Sequence, residues 1–322
     1  MYRFVYARAI VIATRLFFLR MQCLVSGKKL ILVSFYEHIG DIVACEPIIP
    51  YLKSKYSNTF IVWFTDEKYT ELLQVHPQLN KIWGLKTYSD WVVLNQIFKH
   101  IPFVSGKLYD LNIDNRRCSV YGRKIKRKIK RPAIQTDFSK HNLLYSFTVN
   151  AGLEPLTEAA KFYLNSNNDS LKISAKYIVL HTSSNSNLKD WQQQNWQQLS
   201  IKLIEDGYHV AEIGLHKQID IFNSQYHDFT GKKSLQALSN LINNSFFFIG
   251  LDSGFAHIAS ALNKNGLVLI ADYSDFGFQF KSFNPYSGLY ANGAHILYAH
   301  EGLLASTSTD KVIDKFHELV HE

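Results

Sequence analysis

Short continuous apolar runs recur along this chain, separated by stretches whose apolar positions repeat with a helical period. KLILVSF at 29–35, TFIVWF at 59–64, KIWGL at 81–85 and KLYDLNI at 107–113 predict one series of strands. YIVLH at 177–181, YHVAEIG at 208–214, FFFIG at 246–250 and GLVLIAD at 266–272 predict a second. Strands that are apolar on both faces, with helices between them, belong to parallel sheets covered on each side. In WQQQNWQQLSIKLIEDG, Trp196, Leu199, Leu203 and Ile204 form one apolar stripe, and Gly207 ends it. Further helices are expected from Asp41 through YLKSKY, where Pro47 and Pro50 must bend or restart the helix. Others are expected over 218–226, through KSLQALSNLI and over 310–320. Polar, aperiodic LNSNNDSLK at 164–172 reads as a linker. The expected organisation is therefore a leader at 1–28, one α/β domain at 29–165 and another at 166–322, each large enough for its own core.

The leader, RFVYARAIVIATRLFFLRMQCLVSGKK, is apolar but interrupted by Arg8, Arg15 and Arg20. No uninterrupted span reaches the roughly 20 residues a transmembrane helix needs, and no small-residue cleavage site follows, as a signal peptide requires. Two readings stand side by side: a helix lying on a membrane surface with its arginines reaching lipid phosphates, or a helix packed on the protein itself.

Composition adds compartment and charge. Apolar residues make up 47% of the 322, which excludes an intrinsically disordered chain. Cys23, Cys45 and Cys118 are odd in number and far apart, with no metal-binding or disulfide spacing, so idle thiols in a reducing compartment are expected. The formal charge of +8 is concentrated in GRKIKRKIKRP. Without Arg123, Lys124, Lys126, Arg127, Lys128, Lys130 and Arg131 it falls to +1. Such a block is either a solvated loop or an attractor of phosphate. It lacks interleaved aromatics and any recognition motif, so nucleic acid is not the expected partner.

Three segments carry candidate chemistry. In FFFIGLDSGFAHIASAL, Asp252, Ser253 and Gly254 form the turn at a strand's carboxyl end, where open α/β sheets bind ligands. Ser253 is a natural N-cap, and the helix N-terminus it starts is suited to an anion. His257, one turn on, offers that anion a hydrogen bond or a positive charge. In GDIVACEPIIPYL, Gly40 allows a tight turn and Asp41 opens a helix at the end of the first strand. A carboxylate there is either an N-cap or a general base for a hydroxyl nucleophile, with Glu37, His38 and Glu46 as competitors. In HTSSNSNLKDWQQQNW, Thr182, Ser183, Ser184, Asn185 and Ser186 supply donors after a strand. Lys189 follows, either a solvated lysine or a cation neutralising a departing diphosphate.

Taken together these segments resemble glycosyltransferase family 9, the lipopolysaccharide heptosyltransferase-like enzymes. The likeness rests on Gly40-Asp41 with Pro47, Tyr109-Asp110-Leu111, and Lys189-Asp190-Trp191 with Trp196. It continues through Thr230-Gly231 with Ser234-Leu235, and Asp252-Ser253-Gly254 with His257 and Ala259. The resemblance implies a GT-B fold: two Rossmann-like domains with parallel sheets facing an interdomain cleft, the first receiving acceptor and the second the nucleotide sugar. It also implies inverting transfer with no metal and no cofactor. Asp41 would then be the general base and Lys189 the cation at the donor phosphates. Thr182, Ser183, Asp252, Ser253, Gly254 and His257 would complete the donor site, with ADP-heptose the family's usual donor. The sequence departs from the family pattern at Phe35, at His38, at His216 and in ADYSDFGFQF after the GLVLI strand. The acceptor expected is an anionic cell-envelope glycolipid, met by the seven-residue basic block. The expected location is cytoplasmic, peripheral on the inner face of the inner membrane. The alternatives are a GT-B nucleotide-sugar epimerase, or a non-catalytic protein binding glycan or nucleic acid.

Overall fold

This computed structural model describes residues 2–36, 38–112, 117–118, 120, 123–124, 143–165, 171–184, 189–231, 234–271, 274–275, 278–279, 294–298 and 304–321. The described residues up to Glu158 form one compact unit and those from Ala159 onward a second. Residues 159–165 pack with the second unit rather than closing the first. The Phe162 amide donates to the Ala261 carbonyl (3.0 Å), and the Asn165 amide to Gln236 Oε1 (3.0 Å). The first residues of the expected linker, 164–165, therefore belong to the second unit, and 166–170 lie outside the described residues.

The first unit opens with helix α1 (Tyr2–Val25) and continues with β1 (Lys29–Ser34), α2 (Ile39–Ala44), α3 (Ile48–Lys55), β2 (Thr59–Asp66) and β3 (Lys81–Leu85). Then come α4 (Tyr88–His100), α5 (Pro102–Ser105), β4 (Lys107–Asp110), the two-residue strands β5 (Arg117–Cys118) and β6 (Arg123–Lys124), and α6 (Leu143–Asn150). The sheet order is β3-β2-β1-β4, with every pair parallel. Pro47 acts as anticipated: the helix starting near Asp41 stops at Ala44 and restarts after Pro47, with Pro50 inside the first turn of α3.

Of the two readings of the leader, its inner face fits the packed helix. Val5, Ala9, Ile12, Ala13, Leu16 and Cys23 are buried against Trp91, Leu94 and Phe98 of α4 and the apolar side chains of β1 and β2. A salt bridge fastens it, with Arg8 Nη2 2.8 Å from Asp90 Oδ1. Asp90 also accepts the Thr87 amide, so one buried carboxylate closes the capping box of α4 and anchors α1. Cys23 and Cys45 are buried free thiols, as the cysteine spacing suggested.

The second unit runs β7 (Tyr177–His181), α7 (Gln193–Glu205), β8 (His209–Ile213), β9 (Tyr226–Asp228), α8 (Leu235–Asn244), β10 (Phe247–Leu251), α9 (Gly254–Ala261) and β11 (Gly266–Ile270). It ends with the short strands β12 (Ser274–Asp275) and β13 (Phe278–Gln279), then β14 (Ala294–Tyr298) and α10 (Thr309–His321). The sheet is β14-β11-β10-β7-β8-β9, again parallel throughout.

One expected helix is absent. Residues 218–226 are irregular and lead into β9. Glu212, fully buried at the end of β8, accepts the amides of Gln218 (2.7 Å) and Ile219 (3.2 Å) and the hydroxyls of Tyr226 (2.6 Å) and Thr182 (2.7 Å). The bonds from Gln218, Ile219 and Tyr226 hold the segment against the sheet instead of letting it coil. A buried carboxylate stripped of such partners carries a large desolvation cost, which outweighs weak helix propensity.

Candidate functional site

Sheet order puts the candidate residues at the two switch points. In the second unit the chain starts at central β7, moves outward through β8 and β9, and returns to β7's other side with β10. Loops leaving the carboxyl ends of β7 and β10 therefore diverge, which opens a crevice in sheets of this kind. Thr182, Ser183 and Lys189 follow β7, and Asp252, Ser253 and Gly254 follow β10. In the first unit the switch lies between β1 and β4, and the loop after β1 leads to Asp41.

At the β10 turn, Ser253 has extended backbone and caps α9, its Oγ accepting the Ala256 amide (3.4 Å). The same Oγ lies 3.1 Å from His181 Nδ1, and the His181 ring packs on Phe255. His181 therefore ties the two loops of the switch point together. Sequence reasoning assigned it only to a strand. The signal lay in Gly250, its register partner across β7 and β10. A Cβ on Gly250 would lie 2.7 Å from the Phe248 ring and 3.1 Å from His181 Cβ, so only glycine leaves room for the histidine.

Lys189 is held over this turn. Its Nζ is 2.6 Å from Asp252 Oδ2, with the lysine side chain 20% and the aspartate 10% exposed. The Lys-Asp-Trp run explains why. Trp191 is buried, its indole donating to the Thr307 carbonyl (2.8 Å) and meeting Trp196 edge-on. Asp190 accepts the Ser184 amide (2.8 Å) and so holds the loop after β7. With Asp190 and Trp191 held in this way, Lys189 lies at the turn that begins α9, its Nζ paired with Asp252.

The other donor-side candidates differ in what they offer. Thr182 is buried and its hydroxyl is given to Glu212, so it fastens the sheet edge. Ser183 is half-buried and packs close to Gly214, whose positive φ a side chain would strain. Asn185 and Ser186 lie outside the described residues.

His257 is buried, and that decides between its two expected contributions. Burial holds its imidazole pKa down to about 4; Asp252 raises it and Lys189 lowers it by smaller amounts. At neutral pH the ring is uncharged and offers a hydrogen bond, not a positive charge. His181 is likewise lowered to about 4 by burial. Both groups have a folded pKa below the unfolded value of 6.5, so the unfolded chain binds more protons between those values. Stability of the second domain should therefore fall as pH drops from 6.5 toward 4, by up to about 3 kcal/mol per histidine, and these groups contribute no pH dependence above 6.5. Denaturant titrations at pH 7.5, 6 and 5, on the parent and on His257→Asn, measure this. The variant should show about half the loss, and a parent that gained stability on acidification through that window would contradict the assignment.

In the first unit, Asp41 is half-buried in the first turn of α2. Its charge adds to the larger effect of Cys45's own burial, and together they raise the Cys45 thiol pKa well above the usual range. The loop bearing Asp41 is fixed by Asn112, a buried residue that sequence reasoning passed over. Asn112 Oδ1 accepts the Tyr36 amide (2.6 Å), and Nδ2 donates to the Ser34 carbonyl (3.2 Å) and to Asp110 Oδ1 (2.8 Å). That explains the Tyr109-Asp110-Leu111 motif: Asp110 orients Asn112, and Asn112 sets the turn after β1. Of the competing bases, Glu46 is buried against His76 at 2.7 Å, His38 is exposed, and Glu37 lies outside the described residues. Phe35 is buried edge-on against Phe147.

The basic block and the ADYSDFGFQF loop fall largely outside the described residues. Of the block, only the backbone of Arg123 and Lys124 is described, as β6; Lys126, Arg127, Lys128, Lys130 and Arg131 are not. Among the described residues no three His, Cys, Asp or Glu side chains converge as metal ligands.

Comparison with solved structures identifies the architecture. A family 9 glycosyl transferase from Veillonella parvula is 16% identical, with 91% of this chain and 97% of that one aligned at a TM-score of 0.66. The E. coli ADP-heptose LPS heptosyltransferase II is 16% identical over 90% of this chain and 98% of its own, also at 0.66. E. coli heptosyltransferase WaaC, held with ADP-2-deoxy-2-fluoro heptose, is 12% identical over 90% and 99% at 0.58. At these identities the likeness establishes the two-domain GT-B fold. No curated protein matches the sequence significantly. The family model described as glycosyltransferase family 9 (heptosyltransferase) matches residues 107–280, more than half of the chain and including Lys189, Ser253 and His257. This chain therefore belongs to glycosyltransferase family 9 and is a glycosyltransferase of the heptosyltransferase type.

Proposed function

We propose that this enzyme moves a sugar, with inversion and without a metal, from a nucleotide diphosphate donor to a hydroxyl of an anionic cell-envelope glycolipid. What supports this reading most is Lys189, paired with Asp252 at 2.6 Å beside the N-terminus of α9. As the glycosidic bond breaks, negative charge grows on the departing diphosphate, and a preorganised cation and helix terminus stabilise it most in the transition state. Ser253, Gly254 and neutral His257 line the diphosphate, with Ser183 at its edge. Asp41 takes the proton of the acceptor hydroxyl as its oxygen attacks the anomeric carbon; the new C–O bond forms as the bond to the diphosphate breaks. ADP-heptose is the first donor to try, because two of the similar structures carry that chemistry in their names or ligands. The basic block from Arg123 to Arg131 supplies charge complementary to a phosphorylated acceptor.

Thermal stabilisation by ADP-, GDP-, UDP- and CMP-sugars tests the donor assignment. The ADP-sugar should raise Tm most, consistent with about 2.7 kcal/mol at one hundred times its Kd. A shift produced by another nucleotide alone would reassign the base, and no shift with any of them would remove the donor site. Incubating donor without acceptor distinguishes the epimerase alternative, since a transferase deprived of acceptor leaves the donor's stereochemistry unchanged whereas an epimerase alters it.

A further inference from the structure

The outward face of α1 is apolar and largely unburied. The inner stripe is buried in the first domain's core, yet Phe4, Ile10, Val11, Phe18 and Val25 on the other side are 70%, 57%, 48%, 60% and 88% exposed. Nine of the fourteen large exposed hydrophobics among the described residues belong to this helix, and two more, Ile101 and Phe103, flank it. Phe103 packs on Phe17, and the Arg20 guanidinium lies over the Phe103 ring at 5.9 Å, so the two groups form one patch. A soluble surface seldom concentrates apolar side chains in this way without a partner.

The segments that carry the patch hold no acidic residue, and Asp90, which pairs with Arg8 of α1, is buried. No Asp or Glu stands between Tyr2 and Tyr36, between Tyr51 and Thr65, or between Ile101 and Tyr109. Arg3 and Arg15 are exposed on α1. At its carboxyl end Lys28, Lys29, Lys55 and Lys107 are all exposed. Lys29 and Lys107 lie over the Tyr56 ring at 4.1 and 5.1 Å, and the turn after α1 is joined to the turn before β2 by an Asn58–Gly27 bond of 2.9 Å. None of these four lysines belongs to the Arg123–Arg131 block. Among the described residues no helix is long and apolar enough to cross a membrane. An apolar face about 36 Å long, bordered by cations and lacking acids, matches the interfacial plane of an anionic bilayer.

We propose that α1, with Ile101 and Phe103 beside it and the Lys28–Lys29–Lys55–Lys107 cluster at its end, docks the enzyme flat on an anionic lipid surface. The inner stripe holds α1 to the protein while the outer stripe enters the headgroup layer, so the two readings of the leader describe opposite faces of one helix. The docking is independent of which sugar is transferred and is tested without any nucleotide.

Flotation of the full chain with phosphatidylglycerol vesicles, against phosphatidylcholine vesicles, is the experiment. The parent should float only with the anionic vesicles. Ile10→Gln with Phe18→Gln should lower the bound fraction about tenfold, since two exposed apolar anchors are lost. Lys28→Glu with Lys55→Glu should lower it at least as much at low salt and less at high salt. All four side chains are exposed, so circular dichroism and Tm should not move. Phe18→Trp adds a readout that does not depend on loss: its emission, taken as the difference from the parent, should shift blue on vesicle addition. A parent that stays at the bottom of the gradient, or variants that float like it, overturns the proposal. So does a lipid-free dimer that Ile10→Gln with Phe18→Gln converts to monomer while no form floats, because the face then receives a second copy.

Discussion

Asp41→Asn should abolish sugar transfer while leaving donor affinity unchanged. The substitution preserves size and the ability to accept a hydrogen bond in the first turn of α2, but the amide cannot take a proton. Removing a general base of this kind costs about 100- to 10,000-fold in rate. Two neighbours are poorly disposed to compensate: Glu46 is buried against His76, and Cys45, one turn from Asp41, is buried with its thiol pKa well above the usual range. Initial rates with saturating donor, beside calorimetric binding of the donor's nucleoside diphosphate, give the answer. Turnover within about threefold of the parent would remove Asp41 from the chemistry, that being far below the loss of a base. An equal loss of donor binding would mean that the residue shapes the fold instead.

Lys189→Met should lower kcat/KM by about 100- to 1,000-fold, the scale for losing one preorganised electrostatic stabiliser of a leaving group. It also strands a mostly buried Asp252 carboxylate, which lowers stability for reasons unrelated to catalysis. The double variant Lys189→Met with Asp252→Asn separates the two effects. Removing both charges should restore most of the Tm, whereas transfer should stay at the level of the single variant. If activity returned along with stability, the lysine would be a structural partner for Asp252 and nothing more. Lys189→Arg is the complementary case: it keeps the charge but changes its reach, so donor binding should survive better than turnover.

Both predictions depend on residues that are legible in the sequence alone. Asp41, Lys189 and the Asp252–Ser253–Gly254 turn stand immediately after apolar runs, and in a parallel sheet the carboxyl ends of strands are where ligands meet. What was not legible is which of those strands lie side by side. The order β14-β11-β10-β7-β8-β9 places β7 next to β10, sixty-odd residues apart in the chain, and that adjacency puts His181 on Ser253 and Lys189 on Asp252. Hydrophobic period reports burial along one strand and carries no information about its lateral neighbour. Gly250 was the one local hint, since a glycine in an otherwise bulky central strand marks a close approach.

The misread segment at 218–226 and the reinterpreted His257 share a cause. In each, a buried group reverses what local pattern suggests. Glu212 captures the Gln218 and Ile219 amides and prevents a helix, and desolvation leaves His257 only the hydrogen bond of the two contributions its position offered. Burial of a polar group is a property of the packed molecule, because it depends on atoms brought in from distant parts of the chain.

By itself the sequence determined two parallel α/β series, the proline restart after α2, the capped turn after β10 and the family likeness, all from contacts within a few residues. Only the tertiary structure decided which loops share a switch point, that Asn112 and His181 fix those loops, that Glu46 belongs to His76, and that α1 buries one apolar face while presenting another. The physical reason is the same throughout. Periodicity and capping are short-range and are written in neighbouring residues, whereas lateral strand order, desolvation and the direction a helix faces are set by long-range packing that no local window contains.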